Sequence, residues 1–289
     1  MDRIDKKYIA ETVRMALAED IGGGDITTEV SVKPDILAVG KIVAKETLVV
    51  AGIPVVEEVF RQVDSGIDLN ISVDDGNVCA ENSVILTVSG CADSILKGER
   101  TALNFLQRMS GIATLTGRFV KEVDGTHAVI LDTRKTTPLL RRIEKYAVKM
   151  GGGTNHRMGL YDQFLFKDNH IVASIHDFST DMNDLIKKAR EFRSDVKVEV
   201  EVDTIDQFKQ LIDAQPDIIL LDNFSIPDLK EAVRINRGRV FLEASGGITL
   251  DSVRSVAQTG VDGISVGAIT HSAGAVDIAL DLELCLANS

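Results

Sequence analysis

The 289-residue chain has three cysteines, Cys79, Cys91 and Cys285, with no CxxC spacing among them. This excludes a zinc knuckle and gives no basis for a disulfide framework. Also missing is any uninterrupted apolar run approaching the roughly 18 residues of a spanning helix, and the N-terminus is charged from Asp2 onward. Neither a membrane span nor a secretory leader is expected, and a reducing cytoplasm is the expected compartment. Positive charge is scarce: 32 Lys and Arg stand against 44 Asp and Glu, a net charge of −12. Such a surface suits neither nucleic acid nor an anionic membrane. There is no Gly-x-x-x-x-Gly-Lys phosphate loop, and the stretch Glu19–Glu29 (EDIGGGDITTE) reads as a structural turn. No Ser-His-Asp or reactive-cysteine constellation stands out either.

The positive charge that is present is concentrated. Between Arg134 and Lys167, eight Lys or Arg (134, 135, 141, 142, 145, 149, 157 and 167) face two acids, Glu144 and Asp162, so this window carries +6 and the remainder −18. That concentration would collect a polyanionic small molecule. His127–Leu131 reads as a buried strand ending at Asp132-Thr133-Arg134-Lys135. Pro138 suits the first turn of a helix carrying Leu139, Ile143, Tyr146, Ala147 and Met150 on one face and stopping at Gly151-Gly152-Gly153. A loop with His156 and Arg157 follows, then a strand, Phe164–Phe166, ending on Lys167. Arg134, Lys135, His156, Arg157 and Lys167 therefore fall at strand ends and loops of one rim, while Arg141, Arg142, Lys145 and Lys149 read as a solvated helix face. Guanidinium groups offer paired donors to carboxylates and lysine a compact charge to phosphate, so a ligand bearing both is expected.

Residues 1–100 read as an α+β domain. Ile9, Val13, Ala16 and Leu17 mark an amphipathic helix ended by Gly22-Gly23-Gly24. Short strands at Val39–Ala44, Leu48–Val50, Leu69–Val73 and Val84–Val88, with turns at Asp74–Asn77 and Ser89-Gly90, suggest hairpins in an antiparallel sheet packed by a helix over Pro54–Val63. A long helix is expected from Gly98, with Arg100 in its first turn, where a cation is disfavoured by the helix dipole. Beyond Lys167 strands and helices alternate: strands at Val196–Val202, Asp217–Leu221, Val240–Ala244 and Gly263–Val266 bring the parallel count to at least six. Lys135, Lys167, Glu201, Asp222, Ser245-Gly246-Gly247 and Gly267 all fall at or just after strand C-termini, the rim that carries chemistry in α/β barrels. Glu199 and Glu201 share one face of VEVEV and need cations, a hydrated Mg²⁺ or ribose hydroxyls as counterparts.

The motifs DTRKTTP, EKYAV, GGG, NHR, GLYD and KDNHI, in this order, resemble the quinolinate phosphoribosyltransferase family, over nearly the whole chain. The resemblance implies an incomplete, about seven-stranded α/β barrel over residues 101–271, with an N-terminal α+β domain over 1–100 onto which residues 272–289 are free to pack back. It implies transfer of a phosphoribosyl group from phosphoribosyl pyrophosphate to quinolinate with decarboxylation, giving nicotinate mononucleotide for NAD biosynthesis. Quinolinate would be held by Arg100 from the neighbouring subunit of a homodimer with Thr133, Arg134, His156, Arg157 and Lys167. Phosphoribosyl pyrophosphate would meet Lys135, Glu201, Asp222, Ser245, Gly246, Gly247, Val266, Gly267 and His271. Catalysis would fall to Lys135, Glu201 and Asp222, with Mg²⁺ brought mainly by the pyrophosphate, near Glu201 and Asp222. Larger assembly, up to a hexamer, is left open. Alternatives at this point are a non-carboxylating phosphoribosyltransferase, a molybdenum-transport-associated homologue, a Schiff-base enzyme built on Lys167, or an inert anion-binding regulatory barrel. The family commonly has glycine after TTP, where Leu139 stands here.

Overall fold

The computed structural model describes residues 4–33, 35–167, 170 and 178–285. Asp168, Asn169 and Ile171 of the KDNHI motif, and residues 286–289, lie outside the described residues. In chain order the elements begin α1 (Lys6–Ile21), α2 (Ile26–Ser31), β1 (Leu37–Ala44), β2 (Leu48–Val49), α3 (Ile53–Val63), β3 (Asp68–Ile71), β4 (Val78–Cys79), β5 (Val84–Cys91) and α4 (Ala92–Glu122). They continue β6 (Val129–Leu131), α5 (Arg141–Met150), β7 (Phe164–Phe166), α6 (Phe178–Phe192), β8 (Val198–Val202), α7 (Ile205–Leu211), β9 (Ile218–Asp222) and α8 (Ile226–Asn236). The last are β10 (Phe241–Ser245), α9 (Leu250–Ala257), β11 (Gly263–Ser265), α10 (Ala268–His271) and β12 (Ile278–Leu284). Two compact units result, Met1–Leu115 with Arg142–Gly152 and Ala273–Ser289, and Thr116–Arg141 with Gly153–Ser272. The division falls at 115/116 rather than at 100.

The first unit is built on an antiparallel sheet ordered β12-β1-β5-β3. The C-terminal strand lies beside the first one, Ala38 opposite Leu284 through Ala44 opposite Ile278. The expected hairpins are absent: the Asp74–Asn77 turn joins β3 to β4, which pair with β5 and β2 respectively, and Ser89-Gly90 continues β5. In α3 the Asp75 carboxylate accepts from the Gly52 and Ile53 N–H groups, and its other oxygen accepts from the Tyr146 hydroxyl (2.7 Å). α4 starts six residues earlier than expected, directly from β5, so exposed Arg100 stands in its third turn, where the helix dipole no longer disfavours a cation. α5 starts at Arg141 because Leu139 adopts φ +66°, a left-handed conformation that ends any helix begun at Pro138. Its basic face is not simply solvated. Lys145 and Glu144 are fully buried, and Glu144 pairs with Arg108 at 2.9 Å.

The second unit is a parallel sheet ordered β6-β11-β10-β9-β8-β7. The first strand pairs with the last while the rest follow in sequence, so the sheet curls into a barrel open between β6 and β7. A single parallel bridge, Leu131 to Thr154, lines that seam and gives the incomplete α/β barrel. Three of its helices start on a local signal: Thr204 and Gln207 form a capping box for α7, Ser225 caps α8 with Pro227 in its first turn, and Thr249 with Ser252 boxes α9. Strands buried on both faces need apolar residues throughout, as Ile218–Leu221 has. The acids inside β8 and β10 are therefore exceptions that need a reason.

Candidate active site

Within the barrel unit the strand C-termini converge on a cavity of about 350 Å³, lined by Thr133, Arg134, Lys135, His156, Arg157, Leu165, Lys167, Glu201, Leu220, Asp222, Glu243, Ser245 and Ser265. Register puts them there. Leu165 stands opposite Glu199, which carries Lys167 to the level of Glu201, and the two form an ion pair. Ser245 stands opposite Asp222, so both close the same rung. The first unit has a larger cavity, about 930 Å³, lined by Ile4, Ile9, Pro54 and Tyr146. Its charges are partly spent on one another, as in Arg61–Glu58 at 2.5 Å, and no strand-end cluster opens into it.

The cations crowd one another. Burial, and next the charge of Arg134, lower the pKa of Arg157. The Nε of Arg134 is buried with no hydrogen-bond partner. A buried guanidinium donor left unmatched among other cations is a group that an anionic ligand would satisfy. Arg141 braces this wall, donating to Thr136 Oγ1 and to the Met158 and Arg134 carbonyls.

Behind the cations lies a buried trio. His156 Nε2 is 3.0 Å from Glu199 and 3.4 Å from Glu243, and the three donor atoms fall within 4.8 Å of one another. Burial alone would favour a neutral ring, but hydrogen bonds to Glu199 and Glu243 raise the His156 pKa to about 10. The Arg157 N–H meanwhile points at Nδ1 over 2.7 Å, where an imidazolium would carry a hydrogen. In the neutral ring this contact selects the Nε2–H tautomer, with Nδ1 accepting. Burial, followed by the charge of Glu243, raises the Glu199 pKa.

The opposite side of the rim is built from glycine. Gly246 has φ +98°, and a Cβ there would stand 2.1 Å from Asn223 Oδ1 and 2.8 Å from its backbone nitrogen. Only glycine lets the loop after β10 pass this close to the loop after β9. Gly247, at φ +59°, meets nothing within 4 Å. After β11, a Cβ on Gly267 would lie 3.1 Å from Lys135 and 3.2 Å from His271, so these three adjoin, and Thr270 Oγ1 donates to the Lys135 carbonyl.

Thr133, Arg134, Lys135, His156, Arg157, Lys167, Glu201, Asp222 and Ser245 thus share one cavity. Gly246, Gly247 and Gly267 belong to the adjoining loops and His271 ends the short helix α10, while the Val266 side chain is buried and its N–H donates to the Leu131 carbonyl at 2.9 Å. Arg100 lies in the other unit, exposed on α4. Both ring nitrogens of His156 are engaged by protein groups. Reading the sequence missed Glu243 and Ser265. The signal was available, since FLEAS carries a charge inside an apolar strand just as VEVEV does.

An α/β barrel with cations, acids and a glycine-rich turn gathered at its strand C-termini is an enzyme scaffold equipped for phosphorylated, carboxylated substrates. Residues 25–110 match the family described as quinolinate phosphoribosyl transferase, N-terminal domain, and residues 112–281 its C-terminal domain. The chain belongs to the quinolinate phosphoribosyltransferase family. It is 42% identical over 280 residues to the nicotinate-nucleotide pyrophosphorylase (carboxylating) of Mycobacterium leprae, covering 94% of this chain and 96% of that protein. The structure of the nicotinate-nucleotide pyrophosphorylase from Francisella tularensis superposes with a TM-score of 0.91 at 40% identity, covering 98% of this chain and 100% of that one. That from Ehrlichia chaffeensis gives 0.88 at 41% identity, covering 95% and 98%.

Proposed function

We propose that this chain transfers the phosphoribosyl group of phosphoribosyl pyrophosphate to quinolinate with decarboxylation, giving nicotinate mononucleotide, pyrophosphate and carbon dioxide. The observation that carries the reading is the buried, unpartnered Nε of Arg134 beside Arg157. Two adjacent guanidinium groups suit the two adjacent carboxylates of quinolinate. Lys167, with Thr133, closes the same pocket. The 5′-phosphate is taken by backbone N–H groups at Ser245–Gly247 and Gly267 with His271, and Lys135 meets the diphosphate, while the Val266 N–H is already given to the Leu131 carbonyl.

Bond breaking at the ribose develops positive charge, which Glu201 and Asp222 stabilise from the cavity wall. The ring nitrogen that attacks becomes a pyridinium, and this is the electron sink for loss of the neighbouring carboxylate. The protein's part is placement and neutralisation. Glu201 and Asp222 are hard oxygen donors on the same rim and fit Mg²⁺, which when bound with the diphosphate would neutralise its charge. Among the described residues no helix is long and apolar enough to cross a membrane, and the working compartment we propose is the cytoplasm.

The test is incubation with quinolinate, phosphoribosyl pyrophosphate and Mg²⁺, with mass detection of the mononucleotide and nicotinate as control. Product from quinolinate alone is expected, and product from nicotinate alone would overturn the reading. The family resemblance further supports a homodimer in which Arg100 completes the neighbour's site. Mixing inactive Arg100→Ala with inactive Lys135→Ala subunits should restore activity, and confirmed heterodimers that stay inactive would refute the shared site.

A further inference from the structure

The contacts behind the cationic wall form a closed ring. Arg157 N–H donates to His156 Nδ1 (2.7 Å), and His156 Nε2–H points to Glu199 (3.0 Å). Glu199 accepts from the Gln163 amide (2.5 Å), and the Gln163 carbonyl accepts from the Arg157 guanidinium (3.2 Å). The ring thus starts and ends on Arg157, fixing its backbone at one end and its charged head at the other. A second support comes from the neighbouring strands. Glu243 of β10 approaches His156 Nε2 at 3.4 Å and is itself held by Ser265 Oγ of β11 at 2.5 Å.

We propose that Glu199 and Glu243 are positioning residues, which lock His156 and through it present the Arg157 guanidinium to an aromatic 1,2-dicarboxylate. They are acidic side chains lying 0% and 1% exposed behind cations, so an anionic substrate gains nothing from touching them. An apolar barrel interior would be at least as stable as one holding two carboxylates. What the carboxylates add is orientation: Glu199 accepts from Gln163 and faces His156 Nε2 at 3.0 Å, while Glu243 accepts from Ser265 and sets its charge 3.4 Å from the same ring nitrogen, which an apolar side chain could not do. Partners that orient metal-binding side chains from behind typically change affinity tenfold to a hundredfold, and an effect of the same order is expected for an orienting pair here.

The inference rests on the reading of this cavity as a quinolinate site, and the experiment separates the two. Steady-state constants for both substrates are measured on wild type, Glu243→Gln, Ser265→Ala and Ser265→Thr, with calorimetric binding of quinolinate alone. Glu243→Gln and Ser265→Ala should raise KM and Kd for quinolinate about tenfold or more while KM for phosphoribosyl pyrophosphate stays within about twofold. Ser265→Thr, which restores the hydroxyl, should recover most of the loss. Unchanged quinolinate constants, or both KM values rising together, would overturn the positioning role. If Glu243→Gln does not fold, the comparison of Ser265→Ala with Ser265→Thr decides. A wild type that binds quinolinate without turnover sinks the assigned reaction and leaves the Kd comparison to judge the positioning role; a wild type that does not bind it overturns both.

Discussion

Replacing Gly246 by alanine tests the phosphate side of the rim most directly. The residue sits at φ +98°, where an L side chain is strained by about 1–2 kcal/mol. Its new Cβ would also stand 2.1 Å from Asn223 Oδ1 and 2.8 Å from the Asn223 nitrogen. The side-chain oxygen can swing away, but the nitrogen cannot, because it donates to the Ser245 carbonyl at 2.9 Å and so ties the two loops together. Forced overpacking of this kind costs about 1–3 kcal/mol, giving about 2–5 kcal/mol in total. At roughly 2–4 °C per kcal/mol, the barrel unit should melt about 4–20 °C lower.

Gly247→Ala is the internal control. It shares the left-handed backbone, at φ +59°, but meets nothing within 4 Å, so it should lose only about 1 kcal/mol. Because the Gly246 loop must shift, Gly246→Ala should also raise KM for phosphoribosyl pyrophosphate at least about tenfold, consistent with phosphate donors displaced by a fraction of an ångström. Thermal melts and steady-state kinetics on the pair give the answer. Equal melting temperatures and equal KM values would refute the claim that glycine is required here by the approach to Asn223.

The other predictions address the cations, the buried trio and the break before α5. Arg134→Ala and Lys167→Ala should each lose about 3–5 kcal/mol of transition-state stabilisation, at least a hundredfold in kcat/KM, and folded mutants losing less than about tenfold would remove these residues from the site. The trio binds one proton more than the unfolded chain over the interval from the ordinary histidine value near 6.5 up to about 10. A raised pKa contributes stability that is complete below the lower value and lost as pH rises through the upper one. Urea midpoints should therefore fall between pH 6.5 and 10, with a shallower fall in Glu243→Gln; equal slopes would count against the trio. Leu139→Gly relieves a left-handed residue that is 81% exposed, and against the added chain entropy it should leave urea stability unchanged or raised by up to about 1 kcal/mol. A loss larger than that would mean Leu139 is held by packing.

The barrel was legible because its signals are local. Each strand is a short apolar run ending on a charged or glycine residue, so Lys135, Lys167, Glu201, Asp222 and Ser245 announced one rim before their neighbours were known. The charge window between Arg134 and Lys167 pointed to an anion for the same reason, since linear charge density needs no tertiary information. The antiparallel sheet was less legible. Turn residues such as Asp74–Asn77 mark a change of direction but not the pairing partner, and β1 finds β12 from the far end of the chain. The start of α4 was missed although Ala92 and Ile95, buried three residues apart, already continue the apolar face of Ala102, Leu103 and Leu106. Leu139 ends a helix through a backbone angle that its side-chain type does not advertise.

Chain order by itself determined which residues would stand on the rim and what charge they would bring, because strand alternation and strand ends follow from neighbours in sequence. Only the tertiary structure decided what lies behind that rim. Glu199 and Glu243 come from strands separated by a third, and His156 from a loop, and their hydrogen bonds depend on distances across the barrel that no sequence interval encodes. Whether a buried acid is a liability or a support is settled by what surrounds it in space, and here it is surrounded by the groups that hold Arg157.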